Sequence, residues 1–103
     1  MKLLTKAIEN KLKKQKDDSK DIVVKFFNPT GAGTWLITSM DEDNDTMWGL
    51  CDLGFGCVEY GAVSLRELQS YRSPFGGLGI ERDIHFRGGK VEDYADKECL
   101  AGT

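Results

Sequence analysis

The sequence predicts an α+β domain with a mostly antiparallel sheet of about five strands, an N-terminal helix and a short second helix. Three observations support this class. Leu4, Ile8 and Leu12 recur every fourth residue, which is the spacing of an amphipathic helix. Four β-branched and aromatic segments separated by turn residues then form a strand meander. Ser64, followed three residues later by Glu67, has the spacing of a capping box that begins a helix.

The first helix should begin near Lys6 with Thr5 as its N-cap. Strands are predicted at residues 22–27, 34–40, 46–53 and 57–63. The near-continuous apolarity of the first strand indicates burial on both faces, with the first helix covering one of them. The second helix should run to about Tyr71, before an irregular loop that contains Pro74 and three glycines.

A fifth strand is predicted at residues 80–86, where apolar and polar residues alternate. The core face of this strand carries three apolar residues: Ile80, Ile84 and Phe86. The other face carries three polar residues: Glu81, Asp83 and His85. Arg82 falls on the core face, and a buried arginine needs a carboxylate. We therefore expect Arg82 to be partly buried and ion-paired with Glu59 or Glu67.

The composition indicates one globular domain. The chain has 103 residues, of which 40% are hydrophobic and 30% charged, and this length fits a single domain. We place the domain at residues 1–87 and an acidic C-terminal tail at residues 88–103. No apolar run reaches the roughly 18 residues of a membrane helix, and the lysine-rich start does not resemble a signal peptide. Three cysteines are an odd number, so we expect thiols in a reducing cytosol.

Charge is unevenly distributed along the chain. The net charge is −3, but residues 1–25 hold eight lysines against four acidic residues, which leaves −7 for the rest. Such a basic arm is compatible with nucleic-acid contact through five lysines near the first helix: Lys6, Lys11, Lys13, Lys14 and Lys16. The acidic body instead suits a protein partner with a basic surface.

Two cysteines flank the segment CDLGFGC at residues 51–57. Their C-x₅-C spacing fits neither a structural zinc site, which commonly pairs cysteines at C-x₂₋₄-C spacing, nor a C-x-x-C redox motif. We therefore expect a hairpin turn at residues 54–56. Cys51 and Cys57 should be buried thiols on adjacent strands, with no bound metal.

Two further segments resemble a calcium-binding loop and a phosphate-binding loop but lack residues that such loops require. Asp41, Asp43 and Asp45 have the spacing of calcium ligands, but Thr46 replaces the required glycine and the segment runs into a strand. The segment TGAGT follows a strand, but it lacks a lysine and leads into another strand rather than a helix. Both segments are predicted to be turns.

Among the residues of the sequence, Glu81, Asp83 and His85 most resemble a metal-binding or acid–base site. Two carboxylates and an imidazole on one strand face, with successive members about 7 Å apart, can hold a divalent metal or exchange protons. The simpler interpretation, which we favour, is an exposed face that contributes to a binding surface. Asp52 and Glu59 lie on either side of the predicted hairpin turn and are expected to join it. We predict no catalytic residue, metal ligand or cofactor.

Three sequence blocks follow the opening MKLLTK in a distinctive order: KFFNPTGAGTWLIT, WGLCDLGFGCVEYGAVSLREL and GLGIERDIHF. This set resembles the bacterial and phage family catalogued as domain of unknown function 2958, over residues 1–87. The resemblance implies an origin on plasmids, conjugative elements or phages, near replication and antirestriction genes. It implies no activity and no site residues.

These observations favour a small binding module over an enzyme. We expect it to act by protein–protein contact through an acidic sheet face, on a host defence or replication factor. One alternative is a nucleic-acid-associated accessory protein that uses the lysine-rich first helix. Another is a small metal-assisted hydrolase that uses Glu81, Asp83 and His85.

Overall fold

The computed structural model describes residues 3–15, 20–53, 58–74 and 76–94. These residues form seven strands: β1 (Asp21–Ile22), β2 (Val24–Phe27), β3 (Thr34–Met40), β4 (Thr46–Asp52), β5 (Val58–Ser64), β6 (Glu81–Arg82) and β7 (Gly89–Lys90). They also form three helices: α1 (Lys6–Lys14), α2 (Leu65–Ser70) and α3 (Val91–Tyr94). The main sheet has five antiparallel strands in the order β5-β4-β3-β2-β6, and β1 pairs with β7. The predicted α+β class is confirmed.

Helix α1 begins where the sequence predicts, because Thr5 caps it. The Thr5 hydroxyl accepts a hydrogen bond from the Ile8 amide at 3.2 Å. Leu12 is fully buried, Leu4 is almost so, and Ile8 packs half-buried against the same core. The predicted apolar stripe therefore faces the sheet.

The sheet is covered on both faces. The helix face contains Val24, Phe26, Trp35, Ile37 and Met47, which share one core with α1 and α2. The second face contains Leu36 and Leu50, which pack with Ile22, Phe86 and Val91. The apolar segment at residues 22–27 contributes to both cores, and this double burial explains its near-continuous apolarity.

Strands β3 and β4 approach each other closely around Gly49. A Cβ added to Gly49 would lie 2.1 Å from the Leu36 carbonyl oxygen, so only glycine fits there. The register of the two strands shifts around Thr38, as in a β-bulge. Thr38 is fully buried, and its hydroxyl donates to the Trp48 carbonyl at 3.0 Å. The buried Thr38 hydroxyl therefore has a hydrogen-bond partner despite the shift in strand register.

Side chains of Ser64 and Asp45 cap the N-terminus of helix α2. Ser64 accepts a hydrogen bond from the Glu67 amide at 3.2 Å, as the predicted capping box requires. The Asp45 carboxylate accepts from the Ser64 hydroxyl and from the Arg66 amide, each at 2.8 Å. The loop between β3 and β4 is thus tied to the junction of β5 and α2.

The predicted strand at residues 80–86 is wrong beyond Arg82, where β6 ends. Asp83 turns the chain, because its carboxylate accepts a hydrogen bond from the His85 amide at 2.9 Å. Short aspartate side chains compete in this way with strand pairing for nearby amides, and an alternating pattern does not reveal it. Ile84, which we predicted to face the core, is 70% exposed in this turn.

Residues 88–94 continue over the second face of the sheet. Lys90 in β7 forms an ion pair with Asp21 in β1, and the Phe86 and Tyr94 rings lie 6.3 Å apart. The predicted domain boundary at residue 87 stays a prediction. No helix in the described ranges is long and apolar enough to cross a membrane.

Candidate protein-binding edge of the sheet

The five residues predicted to form one acidic surface lie towards opposite edges of the sheet. Asp52 ends β4 and Glu59 lies in β5, whereas Glu81 lies in β6 and is followed by Asp83 and His85. Three strand spacings of about 4.8 Å place β4 and β6 about 14 Å apart. The structure therefore divides the set into two groups, and the binding role of each stays a prediction.

The group at β6 does not share one strand face. Glu81 is half-buried in the ladder opposite Phe27, Asp83 forms an ion pair with Lys25 at 3.6 Å, and His85 is exposed in the turn. Among the described residues, no three His, Cys, Asp or Glu side chains are placed to hold a metal ion. The three side chains thus occupy separate environments.

Arg82 is half-buried, as predicted, but its predicted ion pair is wrong. Its guanidinium Nη1 donates to the Leu3 carbonyl at 2.9 Å, and no ion pair joins it to a carboxylate of the described residues. Glu59 cannot reach it, because β5 lies four strand spacings, or about 19 Å, from β6. A backbone carbonyl therefore takes the place of the expected carboxylate.

The other group, Asp52 and Glu59, belongs to paired strands. Asp52 lies opposite Val58, and Cys51 lies opposite Glu59, so Glu59 is on the helix face and Asp52 on the second face. Cys51 is half-buried rather than fully buried as predicted. Burial raises the pKa of the Cys51 thiol, and the nearby charge of Glu59 raises it further. The predicted hairpin turn and Cys57 lie outside the described residues.

Strand β5 is the long open edge of the sheet. All seven of its residues pair with β4, and no described strand lies on its other side. In such an edge, every second residue directs its N–H and C=O groups away from the sheet. The opposite edge strand, β6, has two residues and offers far less main chain. The open hydrogen-bonding capacity of the sheet is therefore concentrated at β5.

Gly61 stands at the centre of β5, directly opposite Gly49. A Cβ added to Gly61 would meet no heavy atom within 4 Å, in contrast to the collision at Gly49. The fold therefore requires glycine at one position of this pair and not at the other. A glycine that internal packing does not require often marks the close approach of another chain.

Carboxylates surround the β5 edge. Six acidic residues flank it: Asp41, Glu42, Asp43, Asp45, Asp52 and Glu59. The first four belong to the loop that Asp45 ties to Ser64 at the end of β5. Asp43 accepts hydrogen bonds from the Thr46 hydroxyl at 2.6 Å and the Thr46 amide at 2.8 Å, and these bonds hold the pKa of its carboxyl below the ordinary value. With Arg66 as a neighbouring cation, this side of the sheet carries a net negative charge.

An exposed tyrosine adds apolar surface beside these charges. Tyr60 is 42% exposed, and its hydroxyl lies 3.2 Å from the Thr38 hydroxyl. The neighbouring Trp48 indole N–H donates to the Asp41 carboxylate at 3.0 Å. Fixed aromatic rings next to carboxylates form a surface that suits cationic side chains.

The lysines considered for nucleic-acid contact lie away from this edge. Four of them are exposed on α1: Lys6, Lys11, Lys13 and Lys14. Lys13 forms an ion pair with Glu9 at 3.1 Å. Lys16 lies outside the described residues.

Comparison with known proteins places the chain in a family. A family model described as "Protein of unknown function (DUF2958)" matches residues 1–102. The chain belongs to this family. The match confirms the resemblance found in the sequence and extends beyond residue 87, where that resemblance ends. Neither the curated proteins nor the solved structures contain a match to this DUF2958 chain.

The open edge at β5 is not among the sites that the sequence predicts. The available signal lies within VEYGAVS, which carries the charged residue Glu59 and the central residue Gly61. A last meander strand with a central glycine and a charged residue is typical of a sheet edge.

Proposed function

We propose that the protein is a binding module that receives an extended, basic segment of a protein partner along β5. The observation that supports this proposal is the seven-residue edge, which has a neighbour on one side among the described strands. Main-chain hydrogen bonds to such an edge supply affinity, and side chains at alternate positions supply specificity. The partner segment therefore becomes a further strand of the sheet.

The negative charge around β5 favours a partner segment with basic side chains. Glu59 lies on the helix face of β5, and Asp52 lies on the second face of the adjacent strand β4 near the start of β5, so both faces of an added strand lie in a negative field that favours lysine and arginine. The exposed ring of Tyr60 supports a guanidinium or ammonium group by a cation–π contact. We expect basic residues at alternating positions of the partner segment.

The centre of the partner segment should carry a large apolar side chain. Gly61 leaves space above the centre of β5, and a bulky cross-strand neighbour fills the gap beside an edge glycine. We assign the partner, as the family resemblance implies, to host defence or replication factors in a bacterial cytoplasm.

A peptide library tests this function directly. The full chain is immobilised and presented with displayed random peptides of about ten residues, and the enriched peptides are then titrated into labelled protein. We expect enrichment of alternating basic residues around an apolar centre, and protection of β5 amides from hydrogen exchange. Enriched peptides that protect α1 or β6 instead, or a library that yields no enrichment, would overturn the proposal.

A matched pair of charge reversals separates the two edges. Glu59→Lys and Glu81→Lys make the same change at opposite ends of the sheet. Glu59→Lys should weaken binding of an enriched peptide about tenfold, and Glu81→Lys should leave it unchanged. The reverse result would transfer the binding surface to the β6 group.

The exposed lysines of α1 support a second candidate, contact with nucleic acid. Titration with a short DNA duplex at low and at physiological salt tests it, because phosphate contacts give a steep dependence of affinity on salt. Combined Lys11→Gln and Lys14→Gln substitutions should reduce that dependence if the helix makes the contact. An affinity that these substitutions leave unchanged excludes this role for the two lysines.

A further inference from the structure

A second surface of the molecule contains an open groove between α1 and α2. The groove has a volume of about 620 Å³, within the range of small-molecule sites. Seven residues line it: Leu4, Thr5, Lys6, Glu9, Leu65, Gln69 and Arg82. Its lining combines residues of α1, α2 and β6 and contains no residue of β5.

Arg82 gives this groove its chemical character. The guanidinium lines the groove and donates one hydrogen bond, from Nη1, to the Leu3 carbonyl at 2.9 Å. Arginine offers five N–H donors and keeps its charge at all physiological pH values. A half-buried guanidinium is normally paired with an anionic oxygen, and none of the described carboxylates forms an ion pair with Arg82.

The remaining charges of the groove favour an anion. Lys6 adds a second cation to the lining, and it is exposed. Glu9 is the single carboxylate of the lining, and Lys13 pairs with it at 3.1 Å. The lining therefore contains two cations and one carboxylate that already has a cationic neighbour.

We propose that the groove binds a small organic anion through Arg82 and Lys6. The shared chemistry is a carboxylate or phosphate group, which matches the fork of a guanidinium, attached to a compact apolar group. Leu4 and Leu65 supply apolar lining for the second part of such a ligand. Gln69 provides an amide at the α2 side of the groove. This inference does not depend on partner binding at β5.

The first test compares charged and neutral probes of one shape. Phenylacetate and phenyl phosphate are titrated into the full chain at physiological salt, with phenylacetamide as the neutral counterpart of phenylacetate. We expect saturable shifts of the Arg82 side-chain N–H and the Gln69 amide with at least one anion. The two anions distinguish a carboxylate site from a phosphate site. Shifts with phenylacetamide as large as those with the anion that binds, or no shift with either anion, would overturn the proposal.

Substitutions then test which side chains hold the anion. Lys6→Gln should weaken binding by roughly threefold, whereas Lys14→Gln removes the same charge from the far end of α1 and should have no effect. Glu9→Gln should strengthen binding, since it removes the negative charge from the lining. Equal losses in Lys6→Gln and Lys14→Gln would indicate nonspecific attraction and refute the site.

Arg82→Lys is the variant that tests the central residue. It keeps a positive charge near the Leu3 carbonyl but removes the planar fork, and a thermal melt checks that the chain stays folded. Binding should fall about tenfold or more through the loss of charge-assisted hydrogen bonds. Undiminished affinity in a folded Arg82→Lys protein would show that the guanidinium is not the anchor.

Discussion

Cys51 and Glu59 lie directly opposite each other on β4 and β5, and the Glu59 carboxylate adds to the effect of burial in raising the pKa of the Cys51 thiol. The pair places a half-buried thiol beside a carboxylate on the open edge of the sheet. The pKa of the Cys51 thiol therefore depends on the negative charge next to it on β5.

The first prediction concerns that coupling. Glu59→Gln removes a negative charge beside the thiol, so the pKa of Cys51 should fall. The pKa should remain above that of a free thiol, since burial is the larger cause of the shift. The measurement is the alkylation rate of Cys51 against pH, in a chain that carries Cys57→Ser and Cys99→Ser. An unchanged midpoint would show that the two groups do not interact.

The second prediction concerns the paired glycines. Gly49→Ala should lower the free energy of unfolding by about 3 kcal/mol or more, because the new Cβ collides with the backbone at Leu36. Gly61→Ala should leave it unchanged or raise it by up to about 1 kcal/mol, because the methyl group enters open space. Urea denaturation measures both values. Similar losses at the two positions would mean that the inner side of β5 is more crowded than described.

The third prediction concerns the two isoleucines that alternation assigns to one face. Ile80 is 9% exposed and Ile84 is 70% exposed. Ile80→Ala should cost about 2–4 kcal/mol, whereas Ile84→Ala should change stability by less than about 0.5 kcal/mol. If urea denaturation instead gives equal losses, residues 80–86 form the regular strand that the sequence predicts.

The fourth prediction concerns acid stability. Because folding holds the pKa of Asp43 below its ordinary value of 3.8, its contribution to stability is present above that value and is lost as pH falls through the lowered pKa. Asp43→Asn should therefore lower the melting temperature at neutral pH, and the difference should shrink in strong acid. Glu42→Gln, in the same exposed loop, serves as the control. A difference that does not depend on pH would mean that the charge of Asp43 is not involved.

Elements that depend on neighbouring residues could be predicted from the sequence. The cap by Thr5, the burial of Leu12 and the capping of α2 by Ser64 are all local patterns that the structure confirms. Turn residues likewise separated the meander strands, so the antiparallel class of the sheet followed from the sequence.

Features that depend on distant residues could not be predicted in this way. The partner of Arg82 is the carbonyl of Leu3, which is 79 residues away, and a backbone group leaves no mark in a pattern of side chains. Asp83 ends β6 by binding an amide two residues further on, which alternation does not register. The candidate binding edge depends on which strands are neighbours in the sheet, whereas the sequence gives only the order of the strands along the chain.

The unequal edges of the sheet also affect how the protein behaves in solution. An exposed edge strand of seven residues can pair with the same strand of another copy, which leads to aggregation. Carboxylates such as Glu59 oppose this pairing, because they repel one another between copies. Acidification or high salt weakens this repulsion, so light scattering should rise under either condition and stay low at neutral pH in dilute buffer. A partner segment that covers β5 would then keep the protein dispersed as well as bind it.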